Sequence, residues 1–169
     1  MTKSESKNSL KKKAKEICLL ISDVDGVLTD GGMYYTGDGN FMKRFNVKDG
    51  MAVSLLKNAG IQCGILTSDN SPVNEARGRR LDMDLIFTAI ENKKIKLLEI
   101  CDQLRIKPSN IAYIGDDIGD IETLKLAGFS ACPSDAIAEV RKVVDYVCIQ
   151  PGGHGAFREV ADLLISFIK

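Results

Sequence analysis

The stretch Ile17-Cys18-Leu19-Leu20-Ile21-Ser22-Asp23-Val24-Asp25-Gly26 constrains this chain more than any other. Five of the six residues before Asp23 are apolar. A short unbroken apolar run reads as a strand buried on both faces, the kind found inside a parallel sheet. It stops on two carboxylates, Asp23 and Asp25, with Gly26 next. Ligands of open α/β sheets sit outside the carboxyl ends of the strands, so both acids arrive where chemistry is expected. Asp-x-Asp-Gly also suits a plain polar turn. An EF-hand fits poorly: it needs an acid about eleven residues on and a helix before the loop, but Tyr34 stands there and a strand precedes. An Asp can attack phosphorus to form an aspartyl-phosphate, and a second acid can protonate the departing alkoxide and then deprotonate water.

The remaining chain alternates strand and helix. Residues 1–16 carry six lysines and read as a basic flexible tail with a helical end, leaving 17–169 as a single domain. Met33-Tyr34-Tyr35 and Phe41-Met42-Lys43-Arg44-Phe45 flank a Gly-rich turn and read as a β-hairpin inserted after the acidic strand. An isolated hairpin cannot bury so many apolar side chains, and a partner subunit is one plausible cover. Asp49-Gly50 precedes a helix from Met51 to Asn58, with Ala52, Leu55, Leu56 and Ala59 on one face. The strand Ile61–Leu66 stops on Thr67-Ser68-Asp69; Ser71-Pro72 then opens a helix carrying Arg77, Arg79 and Arg80. A third strand ends at Phe87, and a helix from about Asn92 to Arg105 has Lys93 in its first turn. Cations are disfavoured at a helix N-terminus, so this lysine hints at an anionic neighbour. The strand Ile111–Ile114 ends on Gly115-Asp116-Asp117-Ile118-Gly119-Asp120. Such alternation implies right-handed crossovers and a doubly wound parallel sheet.

Composition narrows the function. Lys plus Arg equals Asp plus Glu at 23 each, which gives no electrostatic reason to expect nucleic acid or a membrane surface. No apolar run is long enough to span a bilayer, and the N-terminus lacks a signal-peptide core. Cys18, Cys63, Cys101, Cys132 and Cys148 are scattered and read as free thiols in a reducing cytoplasm. His154 is the one histidine, which argues against zinc and against a Ser-His-Asp hydrolase. Two acidic clusters, a hydroxyl and a lysine at one sheet edge suit phosphoryl transfer. Mg²⁺, an oxygen-seeking ion that keeps waters, could then lie between the aspartates and a phosphate dianion. Asp23, the Asp25 carbonyl and Asp116 could hold it, with Thr67 and Lys93 on the remaining phosphate oxygens.

These motifs resemble the haloacid dehalogenase superfamily of phosphatases. More narrowly, Asp23-Val-Asp-Gly-Val-Leu-Thr-Asp-Gly, Arg44-Phe-Asn-Val-Lys-Asp-Gly, Ala112-Tyr-Ile-Gly-Asp-Asp and Gly152-Gly-x-Gly-Ala-x-Arg-Glu resemble the 3-deoxy-D-manno-octulosonate 8-phosphate (KDO-8-phosphate) phosphatase family. That family is similar to the sialic-acid-type nonulosonate 9-phosphate phosphatases. The resemblance implies a Rossmann-like sheet with the inserted hairpin and no cap domain. It implies a cytoplasmic homotetramer, closed by hairpins and neighbouring subunits, serving lipopolysaccharide biosynthesis. It further implies Asp23 as nucleophile, Asp25 as acid/base, Thr67 with Ser68 and Lys93 on phosphate, and Mg²⁺ on Asp23, Asp25 and Asp116. The chain departs from the family's octulosonate pattern: Ser68-Asp69 stands where Gly-Arg is usual, and His154 where Arg is usual. Asp69, Arg77, Arg80 and Arg158 are therefore the expected substrate-selecting residues. The expected substrate is KDO-8-phosphate, with a nonulosonate 9-phosphate as the alternative. A receiver domain fits poorly, because its phosphoacceptor ends the third strand and here Phe87-Thr88 stands there. An inactive oligomerisation domain would be expected to have lost a catalytic group, and Asp23, Asp25, Thr67, Lys93 and Asp116 are all present.

Overall fold

A computed structural model describes residues 10–38 and 41–168. Its centre is strand β1 (Leu19–Ser22), every residue of which is buried. β1 pairs in parallel with β4 (Gln62–Leu66) on one side and β6 (Ile111–Ile114) on the other. β5 (Leu85–Phe87), β7 (Phe129–Cys132) and β8 (Tyr146–Val147) complete a six-stranded parallel sheet in the order β5-β4-β1-β6-β7-β8. Strand order reverses at β1, so the crevice at its carboxyl end is the switch point where such sheets bind ligands.

The pleat sends alternate side chains to opposite faces, and each face has its own core. Leu20, Ala112 and Phe129 pack with Ala52 and Leu56 of α2 (Val47–Asn58) and with Phe157, Val160 and Leu164 of α7 (Ala156–Ile168). Leu19, Ile21 and Tyr113 face the other way, against Leu97 and Ile100 of α4 (Lys93–Leu104) and Leu124 of α5 (Ile121–Leu126). α3 (Pro72–Arg80) opens on Ser71, whose side chain accepts from the Val73 N–H. A short α6 (Ala138–Arg141) precedes β8. β2 (Tyr34–Tyr35) and β3 (Phe41–Met42) form the expected antiparallel hairpin outside the sheet.

Two boundaries differ from the sequence reading. The described part of α1 (residues 10–14) packs onto the domain: Ala14 is fully buried, Leu10 touches the core, and Lys13 pairs with Asp145. The lysine-rich composition hides two apolar residues four apart, one helical turn. Helix α2 starts at Val47, not Met51, because Asn46 caps it by accepting from the Lys48 N–H. Asp49 and Gly50 look like a turn in sequence, yet both are buried inside the helix. Asp49 faces α7 and accepts from the Arg158 N–H. Burial pushes the Asp49 carboxyl up to about 6, despite that bond and the Gly155 N–H.

The glycine loop before α7 holds the loop after β1. Gly153 N–H donates to Val27 O, and a Cβ on Gly152 would stand 1.9 Å from Gly26 O. Gly152→Ala should force the two loops apart, at about 1–3 kcal/mol for such overpacking. The melting temperature should fall by about 2–4 °C for each kcal/mol lost in a chain of this size. Gly37→Ala, where a Cβ meets nothing within 4 Å, should leave it unchanged. Equal melting temperatures for the two variants would show that the loops do not buttress each other.

Candidate active site

Four loops converge on the carboxyl edge of the sheet. Asp23 follows β1, and its backbone N–H donates to Ile114 O of β6. One carboxylate oxygen accepts from the Val24 N–H at 2.7 Å; the other lies 2.7 Å from Lys93 Nζ. Gly26, at φ 80°, turns the chain back, and Thr29 Oγ1 accepts from the Gly26 and Gly31 N–H groups. The same hydroxyl donates to Asp25 Oδ1 at 3.3 Å. Thr67, at the end of β4, is almost wholly buried; its N–H donates to Phe87 O, and its hydroxyl accepts from the Asp69 N–H. The Ser68 hydroxyl donates to Ile90 O. Lys93 opens α4, with Asn92 capping the helix. Asp116 follows β6.

These side chains line one cleft of about 350 Å³, which holds Asp23, Asp25, Thr67, Ser68, Asp69, Lys93 and Asp116. A larger groove of about 490 Å³ lies beside α7, lined by Lys48, His154 and Arg158, but it contains no comparable carboxylate cluster. Chemistry, not volume, marks the first as the candidate site.

Its electrostatics are those of crowded acids. Asp23, Asp116 and Asp120 each offer a carboxylate oxygen within 4.8 Å of the others. Burial and the Asp120 charge raise Asp23 to about 7, against the pull of Lys93. Burial, then Asp23, Asp120 and Asp117, raise Asp116 to about 8. Burial alone would lower Lys93, but Asp23 and Asp120 outweigh it and hold the ammonium above its usual value. Asp120 is saturated: it accepts from Lys93, the Tyr113 hydroxyl, and the Asp116 and Asp117 N–H groups. Asp116 Oδ1, in contrast, is buried without a partner among the described residues. A buried carboxylate oxygen left unpaired is costly. Oxygen donors, excess negative charge and an orphaned oxygen together fit a small divalent cation such as Mg²⁺.

Of the expected substrate-selecting residues, only Asp69 lines the cleft. Its Oδ2 accepts from Lys43 Nζ at 2.7 Å and Asn74 Nδ2 at 2.9 Å. Burial pushes Asp69 up, but these bonds and the Lys43 charge bring it below the usual carboxylate range. Arg77 lies beneath α2, donating to Asn46 O and sitting 5.2 Å from the Phe45 ring centre. Arg80 is exposed at the far end of α3, about 12 Å along the axis from its start. Arg158 pairs with Asp162 in the groove beside α7. None of these three arginines lines the cleft of the described chain. His154 instead joins loops: its Nδ1 lies 2.7 Å from Gly152 O and its Nε2 2.9 Å from Arg44 Nη2, and Arg44 pairs with Asp30. A carbonyl only accepts and a guanidinium only donates, so the proton sits on Nδ1.

Asp120, Asn74 and Lys43 were not singled out from sequence. Asp120 had a signal, four residues after Asp116 in a quoted motif. Lys43 had none, since a lysine of a short surface hairpin normally faces water.

Comparison with known proteins agrees with this architecture. The haloacid dehalogenase-like hydrolase family matches residues 44–128. The 3-deoxy-D-manno-octulosonate 8-phosphate phosphatase of Haemophilus influenzae is 35% identical over 157 residues, covering 93% of this chain and 87% of that protein. Its Escherichia coli K12 counterpart is 38% identical over 153 residues, covering 90% and 81%. The crystal structure of the Moraxella catarrhalis phosphatase, in complex with magnesium, phosphate and KDO, superposes with a TM-score of 0.92 at 36% identity, covering 95% of this chain and 92% of that one. The chain is thus a haloacid dehalogenase-like hydrolase of the kind without a cap domain. Within that class it belongs to the 3-deoxy-D-manno-octulosonate 8-phosphate phosphatase family.

The raised carboxyls predict a pH dependence of the metal-free protein. Asp23 and Asp116 hold protons in the folded state that the unfolded chain has lost, because their folded values lie above 3.8. Their contribution to stability is complete below about pH 4 and is lost as pH rises through about 7 to 8. In chelator, the melting temperature should fall between about pH 6 and about pH 8.5, and excess Mg²⁺ should remove most of the fall. Asp116→Asn should flatten the chelator curve. A melting temperature that rises over this range and ignores Mg²⁺ would contradict the crowding.

Proposed function

We propose that the chain is a Mg²⁺-dependent phosphatase that hydrolyses 3-deoxy-D-manno-octulosonate 8-phosphate to KDO and phosphate. The observation that carries this reading is the Asp23 carboxylate, held by Lys93 at the end of the central strand beside the unpaired Asp116 oxygen. The names of the relatives supply the sugar.

In this reading an Asp23 oxygen attacks phosphorus and the bond from phosphorus to the sugar oxygen breaks, leaving an aspartyl-phosphate. Asp25 gives its proton to the departing oxygen. It then takes a proton from water, whose oxygen attacks phosphorus; the bond to Asp23 breaks and phosphate leaves. Lys93, Thr67 and Ser68 hold the phosphoryl oxygens through charge and hydrogen bonds. Asp23, the Asp25 carbonyl and Asp116 would hold Mg²⁺, with Asp120 orienting Asp116 and Lys93. The ion supplies charge neutralisation between the phosphate and the aspartates.

The same reading assigns a homotetramer. Met33, Tyr34, Tyr35 and Met42 are exposed on the hairpin at 42–68%, more apolar surface than a small hairpin normally leaves in water. All five cysteines are free, in keeping with a reducing cytoplasm. No helix among the described residues is long and apolar enough to cross a membrane.

The decisive assay compares KDO-8-phosphate, a nonulosonate 9-phosphate and p-nitrophenyl phosphate. KDO-8-phosphate should give the highest kcat/KM, and Asp23→Asn should reduce turnover of all three to background while the fold survives. Asp25→Ala should cost about 10²–10⁴ on the sugar phosphates and far less on p-nitrophenyl phosphate, whose leaving group needs little protonation. Asp116→Ala should lose activity that excess Mg²⁺ partly restores. Near-parent turnover by Asp23→Asn, or full activity in chelator, would refute the mechanism. Light scattering should give the mass of four chains, and a fully active monomer would refute the assembly.

A further inference from the structure

We infer that Lys43, carried by the inserted hairpin, is a positioning residue for the acid/base Asp25, and that Asp69 serves to hold Lys43 rather than to choose the sugar. The inference rests on the proposed role of Asp25. Lys43 follows β3 directly, and its side chain is wholly buried although it reaches the edge of an open cleft. Its Nζ lies 2.6 Å from Asp25 Oδ2, 2.7 Å from Asp69 Oδ2 and 3.2 Å from Asn74 Oδ1. Asn74, itself fully buried, closes the set by donating to Asp69 Oδ2.

The geometry limits what Asp25 can do. Thr29 donates to its Oδ1 and Lys43 to its Oδ2, so both carboxylate oxygens are gripped from outside the cleft. A carboxyl held at two points cannot swing between rotamers. A misplacement of about 1 Å in a reacting group can cost about 10²-fold in rate. Burying an ammonium with one counter-charge is costly, because buried charges need pairing and their remaining protons need acceptors. Asp69 and the Asn74 carbonyl supply those acceptors. Asp69 therefore has a physical task that is complete without substrate. The hairpin enters here too. Lys43 sits one residue beyond its second strand, so the hairpin's seating and the Asp25 carboxylate are mechanically linked.

The test uses the full chain with Mg²⁺ in excess and compares KDO-8-phosphate with p-nitrophenyl phosphate. Lys43→Met keeps the stem and removes the charge. It should lower kcat on the sugar phosphate by about 10- to 100-fold while leaving its KM and the p-nitrophenyl phosphate kcat within about threefold. Lys43→Arg should recover part of the loss. Asp69→Asn should give a smaller loss of the same pattern, and it decides the matter if Lys43→Met does not fold. Lys43→Met added to Asp25→Ala should cost nothing further, since the lysine acts through the carboxylate. An equal loss on both substrates, or a loss confined to KM for the sugar phosphate, would overturn the inference; the latter would make Lys43 a substrate contact. If Asp25→Ala itself lowers both substrates equally, the acid/base assignment has failed and the inference falls with it. If Asp25→Ala discriminates and Lys43→Met does not, only the inference has failed.

Discussion

The ammonium of Lys93 lies between Asp23 and Asp120, 2.7 and 2.8 Å away, and the candidate site depends on that one buried contact. Without it, three carboxylates would face each other at the switch point of the sheet with no positive charge among them. With it, the cluster is still net negative: Asp23 remains raised by burial and Asp120, and Asp116 by burial, Asp23 and Asp120. Such an arrangement is a poor solution for stability, because removing charges from water costs more than a single pair returns. It is a good one for binding a cation and a phosphate dianion together, which is the task of the family to which the chain belongs.

Support for this cluster comes from the layer beneath. Asp120 spends all its accepting capacity on Lys93, Tyr113 and two backbone N–H groups. It therefore acts as a fixed anchor and leaves Asp116 as the carboxylate with an oxygen to spare. Tyr113, on the central sheet, reaches the same anchor from a core position. The loop after β1 is held in turn by Thr29 within and by the glycines of the α7 loop without. Rigid strands, tight loops and a saturated second layer together place the carboxylates before any ligand arrives, the preorganisation on which electrostatic catalysis relies.

The hairpin brings a second ionic centre. Through Lys43 it reaches Asp25 and Asp69, and through Arg44 it reaches Asp30 and His154. Two consecutive basic residues thus tie one inserted element to the loops after β1 and β4 and to the loop before α7. His154 joins this connection because one ring nitrogen can accept from Arg44 while the other donates to Gly152 O. The hairpin that exposes Met33, Tyr34, Tyr35 and Met42 is also the element tied to the proposed acid/base.

Much of this was legible in the sequence, for a definite reason. An apolar run that stops on polar residues locates the carboxyl end of a buried strand, and parallel alternation brings all such ends to one edge. Asp23, Asp25, Thr67, Lys93 and Asp116 could therefore be gathered by local pattern alone. The helical packing of Leu10 and Ala14 escaped because lysines dominate that stretch, and the start of α2 escaped because Asp-Gly usually marks a turn. Arg77, Arg80 and Arg158 do not line the cleft of the described chain, whereas Asp69 does; which side chains a helix turns toward a site depends on packing that spacing alone does not state. The partnership of Lys43 with Asp25 and Asp69 bridges 18 and 26 residues. The sequence by itself determined the sheet, its edge and the acids upon it, since these follow from hydrophobic period and chain reversal. Only the tertiary structure decided which cation faces which carboxylate, because that depends on where an inserted hairpin folds back and on how much water it excludes.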